Sequence, residues 1–129
     1  MNTFILLITS FFSFIVLDLI WLGVVAKPAI TRLLAPWMTD GFKLFPAMLV
    51  YVLLALGTVL FVLPKANSFS AAILWGALLG LIVYGVYDLT NYATIAHWPL
   101  KFLFMDMAWG TVCGALVAGI TFWVSKLMK

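Results

Sequence analysis

Four long apolar stretches dominate the chain, and short segments that contain polar residues or proline separate them. The stretches cover about residues 4–25, 44–63, 69–91 and 100–124. Each is close to the roughly 20 apolar residues that an α-helix needs to cross the hydrocarbon core of a bilayer. The pattern predicts an all-α integral membrane protein, with four transmembrane helices in a single domain of residues 1–129.

Proline positions and short connections support this division. Pro46 falls in the first turn of the second stretch, Pro64 follows its end, and Pro99 precedes the fourth stretch. Proline is tolerated at such boundaries but disrupts a helix interior. The connection 64–68 is tight, so the second and third helices should be antiparallel neighbours. The connection 92–99 is also short, and an up-down four-helix bundle follows.

The segment between the first two helices, residues 27–43, is the longest connection. Its apolar residues recur at helical spacing after Pro28 and opposite Arg32; they are Ala29, Ile30, Leu33, Leu34 and Trp37. The run Thr39-Asp40-Gly41 then breaks the pattern. The spacing is compatible with a short helix that lies in the membrane interface, and equally with an irregular loop that buries a few apolar residues.

Composition excludes a soluble fold, because 67% of the residues are hydrophobic and only 9% are charged. Soluble domains carry about 25% charged residues. The net charge of +3 comes from basic residues that stand singly in the connections and at the C-terminus, so no nucleic-acid-binding patch is expected. The single cysteine, Cys113, cannot form a disulfide within the chain. The first stretch lacks a basic leading region and is longer than a signal-peptide core, so it is expected to remain as a helix.

Small residues form two stripes with a spacing of four. The stripes are Ala72, Gly76 and Gly80 in the third helix and Gly110, Gly114 and Ala118 in the fourth. Such stripes let helix backbones approach closely in lipid. They should face each other, or face a second copy of the chain in a homodimer.

Three aspartates lie within the apolar stretches, where a charged carboxylate costs roughly 2.5–3.5 kcal/mol at a helix centre. Asp18 precedes Ala26 by about 12 Å of helix, and Asp106 follows Leu100 by about 9 Å, at 1.5 Å per residue. Asp88 is closer still to the end of its own helix. In an up-down bundle these three helix ends meet at one face of the membrane. All three carboxylates should therefore occupy the same half of the bilayer.

Other polar and aromatic side chains accompany the aspartates. One face of the third helix carries Tyr84, Tyr87, Asp88 and Asn91, which follow the i, i+3, i+4, i+7 pattern. The spacing Asp-x-x-Trp occurs twice, as Asp18 with Trp21 and as Asp106 with Trp109. These eight residues are the candidate site for a ligand or a proton.

Three carboxylates in a medium of low dielectric constant cannot all stay ionised without compensation. At least one holds a proton, or a cation neutralises them. The cation could be a metal ion held by Asp18, Asp88 and Asp106, a cationic ligand, or a basic side chain from the connections at the same end; the candidates are Lys27, Arg32, Lys43 and Lys101. The carboxylates could also serve only to pack the helices.

Four runs of residues combine polar and aromatic positions in a distinctive order. They are Asp18-Leu-Ile-Trp21-Leu-Gly23, Tyr84-Gly85-Val-Tyr87-Asp88-Leu-Thr90-Asn91-Tyr92, Trp98-Pro99 and Asp106-Met-Ala-Trp109-Gly110-Thr111. Together they resemble domain of unknown function 2177 (DUF2177), a family of small predicted bacterial membrane proteins. The resemblance covers nearly the whole chain. It implies four helices, a multi-pass location in the bacterial inner (cytoplasmic) membrane and a connection with the modification of membrane fatty acids. The family has no established catalytic residues to compare with this sequence, and the resemblance leaves the cofactor unknown.

Three hypotheses for the function remain open at this stage. The first is binding of a membrane lipid or other amphipathic ligand beside the polar cluster, related to lipid modification. The second is a small proton- or cation-coupled transporter that acts as a dimer. The third is a structural subunit of a membrane complex. The sequence contains no serine-hydrolase elbow, zinc-protease motif or phosphate-binding loop, and it leaves open whether the protein is an enzyme.

Overall fold

The computed structural model describes residues 2–35, 41 and 43–129, and this part of the chain contains helices and no strand. Helix α1 (Thr3–Ile20) continues as a π-helix (Trp21–Ala26) into the short helix α2 (Lys27–Leu34). Helix α3 (Leu44–Gly57) continues as a π-helix (Thr58–Val62) and a 3-10 turn (Leu63–Lys65). Helix α4 spans Phe69–Thr94, and helix α5 spans Leu100–Leu127. Four segments are long and apolar enough to cross a membrane. They are α1 with its π-helix, α3 with its two continuations, α4 and α5. The predicted all-α membrane fold is confirmed.

Local signals set the helix ends close to the predicted positions. The Asn2 side chain accepts a hydrogen bond of 3.1 Å from the backbone N–H of Phe4, at the start of α1. The Ser68 hydroxyl accepts one of 3.1 Å from the N–H of Ala71, at the start of α4. Pro99 stands immediately before α5. The two capping side chains satisfy N–H groups that lack a partner within their own helix.

The segment after α1 is helical over Lys27–Leu34. Of the two structures that the sequence allowed there, a short helix and an irregular loop, the helix is therefore correct for that part. Leu34 packs against a buried cluster of Trp98, Phe102 and Leu103, which ties α2 to the start of α5. A position of α2 in the membrane interface stays a prediction. Three further residues of the pattern predicted for this segment lie outside the described residues; they are Trp37, Thr39 and Asp40.

Close contact between α4 and α5 forms the centre of the bundle. Its small residues, which we call the glycine seam, are Gly76 and Gly80 of α4 and Gly110 and Gly114 of α5. A methyl group added to Gly80 would overlap the backbone carbonyl of Gly110, and one added to Gly114 would overlap that of Gly76. The two stripes therefore face each other within one chain, which is the first of the two predicted arrangements. The missing side chains let the two backbones touch.

Helix α1 packs against both α5 and α3 on another side of the bundle. Phe14 of α1, Leu54 of α3 and Val117 of α5 belong to one buried cluster. Closer to the start of α1 and the end of α5, the hydroxyl groups of Ser10 and Thr121 form a buried hydrogen bond of 2.9 Å. These contacts attach α3 to α1 rather than to α4.

Helices α3 and α4 approach each other mainly where the chain connects them. The continuation of α3, Thr58–Lys65, contacts α4, whereas α3 itself makes little contact with it. The prediction that these helices are antiparallel neighbours therefore holds at the connected end, and they separate towards the other. The separation matters because it leaves a groove beside the predicted polar cluster.

Candidate functional site

The predicted carboxylates lie at the end of the bundle where α1 and α4 end and where α3 and α5 begin. They do not form one cluster of three. Asp18 is held by donors from α3 and α5, whereas Asp88 and Asp106 form a separate pair between α4 and α5.

Asp18 accepts two hydrogen bonds from other helices. The Tyr51 hydroxyl donates to its Oδ2 atom at 2.6 Å, and the Trp109 indole N–H donates to its Oδ1 atom at 3.2 Å. The ring of Trp109 also stacks on that of Trp21, with the ring centroids 4.8 Å apart and the planes almost parallel. The two Asp-x-x-Trp runs thus meet, because the tryptophan of the second binds the aspartate of the first. This arrangement connects α1, α3 and α5.

We expect Tyr51→Phe to lower the free energy of unfolding by about 1–2 kcal/mol, because it removes a hydrogen bond to a carboxylate within the membrane region. Thermal unfolding in mild detergent, followed by circular dichroism, measures the loss. Tyr92→Phe is the matched control, since Tyr92 is half exposed on α4. Equal stability of the two variants would mean that the bond to Asp18 contributes nothing to folding.

Asp88 and Asp106 are both buried, with exposed fractions of 0% and 8%. Their side chains lie within hydrogen-bonding reach of each other. No N–H or hydroxyl group among the described residues donates a hydrogen bond to either carboxylate oxygen of Asp88. Two carboxyl groups can share a hydrogen bond only when one of them keeps a proton. Asp88 and Asp106 are therefore a buried pair of carboxyl groups in which Asp88 receives no hydrogen bond from the described residues.

The polar face of α4 extends from this pair to the outside of the bundle. The Tyr84 ring packs against Gly110, where an added methyl group would overlap it. Tyr87 is 55% exposed and contacts Trp98 edge-on, with a centroid distance of 6.2 Å. The Asn91 side chain lies within hydrogen-bonding reach of the Tyr87 phenol. The face predicted from the sequence is thus present, and Asp88 is its buried edge.

A groove of about 560 Å³ lies between α3 and α4, and we call it the α3–α4 groove. Its apolar walls consist of Val50, Leu53 and Leu54 of α3 and Leu79 and Val83 of α4. Tyr84, Tyr87 and Asp106 also line it, and nearly all of the surface that faces the groove is apolar. Several of the wall residues are partly exposed on the outer surface of the helices, so the groove is open to the side. It offers an apolar channel that reaches one member of the carboxyl pair.

The geometry offers little support for a metal ion held by all three aspartates. Among the described residues, no three histidine, cysteine, aspartate or glutamate side chains come close enough together to hold a metal ion. The basic residues at this end of the bundle are exposed; they are Lys27, Arg32, Lys43 and Lys101.

Sequence reasoning missed Tyr51 and the burial of Trp98. Tyr51 could have been noticed as the one tyrosine in the second apolar stretch, at the depth of Asp18. Trp98 is 7% exposed, and its indole N–H has no acceptor among the described residues. No pattern in the sequence distinguishes it from an exposed tryptophan at a membrane interface.

Comparison with known proteins identifies a family. No curated protein and no solved structure matches the chain. The family described as "Predicted membrane protein (DUF2177)" matches residues 3–123, which include the first three spans, most of the fourth and both groups of aspartates. The chain therefore belongs to the DUF2177 family of predicted membrane proteins.

Proposed function

We propose that the protein binds a membrane lipid or another amphipathic molecule in the α3–α4 groove, in the bacterial inner membrane. The apolar part of the ligand occupies the groove, and its polar group meets Asp106 and the phenols of Tyr84 and Tyr87. The observation that carries the proposal is an apolar groove lined by Asp106, whose buried neighbour Asp88 receives no hydrogen bond from the described residues. The proposal includes a role related to the modification of membrane lipids.

The size and openness of the groove suit a ligand that arrives from the bilayer. Its volume of about 560 Å³ lies in the range of roughly 300–1,000 Å³ that small-molecule sites occupy. Val50 and Leu53 are 51% and 67% exposed, so an acyl chain can enter sideways between α3 and α4. A ligand that is already dissolved in lipid then needs no passage through water.

The polar end of the groove must supply the selectivity. Lipid tails are as apolar as leucine side chains, so apolar contacts within a bilayer discriminate poorly between occupants. Hydrogen bonds are different, because a buried polar group without a partner is costly. Asp106 lines the groove, and the oxygens of its neighbour Asp88 have hydrogen-bonding capacity that none of the described residues uses.

The groove itself is tested by filling it. We expect Val50→Trp to reduce the amount of bound amphiphile at least tenfold, because Val50 lines the groove and an indole would occupy it. Native mass spectrometry of the protein from mild detergent measures the bound fraction. Val52→Trp is the matched control, since it places the same ring on another face of α3, where Val52 is 40% exposed outside the groove.

Equal retention by the two tryptophan variants would place any bound lipid outside the groove and contradict the proposal. The same holds if the wild-type protein stays empty when single-chain amphiphiles are added. The transporter and structural-subunit hypotheses stay predictions.

A further inference from the structure

We infer that the ligand of the α3–α4 groove carries an ammonium group joined directly to its apolar chain. The class is that of long-chain primary amines, which are protonated at neutral pH. This inference rests on the proposed function and specifies the group that meets Asp106.

The first argument is the supply of hydrogen-bond partners. An ionised carboxylate only accepts hydrogen bonds. Asp106 lines the groove, and neither oxygen of Asp88, behind it, receives a hydrogen bond from the N–H and hydroxyl groups of the described residues. Apart from the phenols of Tyr84 and Tyr87, the groove is lined by apolar side chains and by Asp106. A primary ammonium group supplies three donors and no acceptor. A phosphate or carboxylate headgroup brings further acceptors, which the phenols could meet but which supply no donor to the carboxyl pair.

The second argument is charge. If the Asp88–Asp106 pair shares one proton, it carries a single negative charge, which one ammonium group balances. A buried charge without a partner is strongly unfavourable. An anionic headgroup would add a second negative charge, while the basic side chains at this end of the bundle are exposed.

The third argument is the order of groups along the groove. Leu79 precedes Tyr87 by eight residues, or about 12 Å of helix, so the apolar walls extend from the polar end towards the middle of the membrane. An ammonium group attached directly to a chain matches this order. In a phospholipid a phosphate separates the amine from the chains, and that phosphate would lie among the apolar walls. The rings of Tyr84 and Tyr87 at the polar end can also attract a cation.

The test compares single-chain probes of one length in a neutral detergent at pH 8. The probes are dodecylamine, dodecanol, dodecanoic acid and dodecyltrimethylammonium, and competition in native mass spectrometry ranks their affinities. We expect dodecylamine to bind at least tenfold more tightly than dodecanol, with dodecanoate weakest. Dodecyltrimethylammonium should bind more weakly than dodecylamine, because it has the charge without N–H donors.

Variants separate the two proposals. The double variant Asp88→Asn with Asp106→Asn should lose the preference for dodecylamine and still bind dodecanol, and Val52→Trp should keep the wild-type ranking. If all four probes bind the wild-type protein with equal affinity and none binds Val50→Trp, the ammonium inference is overturned, while the proposal that the groove binds amphiphiles is kept. An unchanged preference in the double variant would also overturn it. If no probe binds the wild-type protein, the proposed function fails and the inference fails with it.

Discussion

Replacing Gly80 by alanine is expected to be among the most destabilising additions of a single methyl group to this protein. The added Cβ would overlap the carbonyl oxygen of Gly110 and would lie 3.3 Å from the Cα atom of Thr111. These are backbone atoms of α5, so a change of side-chain rotamer cannot relieve the overlap, and α4 must move away from α5. Overpacking typically costs about 1–3 kcal/mol, and we expect the upper end of that range or more.

Thermal unfolding in mild detergent measures this effect, and Gly23→Ala is the matched control. A Cβ on Gly23 would meet no atom within 4 Å, so that variant tests the change of residue type without the overlap. It should be neutral or stabilising by up to about 1 kcal/mol, since alanine favours helix over glycine. If Gly80→Ala unfolds at the same temperature as Gly23→Ala, the two helices are not in close backbone contact.

The glycine seam also positions the candidate site. Gly110 leaves room for the Tyr84 ring, and Gly80 sets the distance between α4 and α5. Asp88 lies two turns beyond Gly80 on α4, and Asp106 lies one turn before Gly110 on α5. A wider separation of the helices would therefore pull the two carboxyl groups apart. A bulky residue in the seam should impair ligand binding along with stability.

Counting residues from the helix ends was enough to predict that the three aspartates lie towards the same end of the bundle, because the rise of a helix is constant. It could not predict the partners of each carboxylate. Whether Asp18 meets Asp88, or meets Tyr51 and Trp109, depends on how each helix is rotated about its axis. That rotation is set by packing between helices that are distant in sequence, such as the cluster around Phe14.

The α3–α4 groove lies beyond sequence prediction for a related reason. A tight connection such as 64–68 fixes the distance between two helices at one end only. How far they separate depends on their other neighbours, and α3 packs on α1 while α4 packs on α5. The edge-on contact between Phe11 and Tyr51, with a centroid distance of 6.5 Å, is one of the contacts that hold α3 to α1. The glycine stripes were visible in the sequence, but only the fold shows that they face each other.

Asp88→Asn is expected to leave the bundle as stable as the wild-type protein or to stabilise it by about 1 kcal/mol, and to weaken ligand binding. Among the described residues, no N–H or hydroxyl group donates to the carboxyl group of Asp88, which lies beside that of Asp106. An amide of the same shape removes a buried ionisable group and supplies N–H donors to the Asp106 carboxylate. Those are the donors that the ligand would otherwise supply, so the gain in stability and the loss of binding have one cause.

Asp18→Ala is the contrasting variant, because it leaves the Tyr51 hydroxyl and the Trp109 indole N–H without their acceptor. We expect it to lower the free energy of unfolding by about 1–3 kcal/mol. Thermal unfolding and native mass spectrometry on both variants separate a carboxylate that holds helices together from one that is kept for a ligand. If Asp88→Asn destabilises the bundle as much as Asp18→Ala does, the Asp88–Asp106 pair serves helix packing and the structural-subunit hypothesis gains ground. Loss of bound amphiphile without loss of stability would instead mean that the fold tolerates an unfavourable buried pair because the ligand needs it.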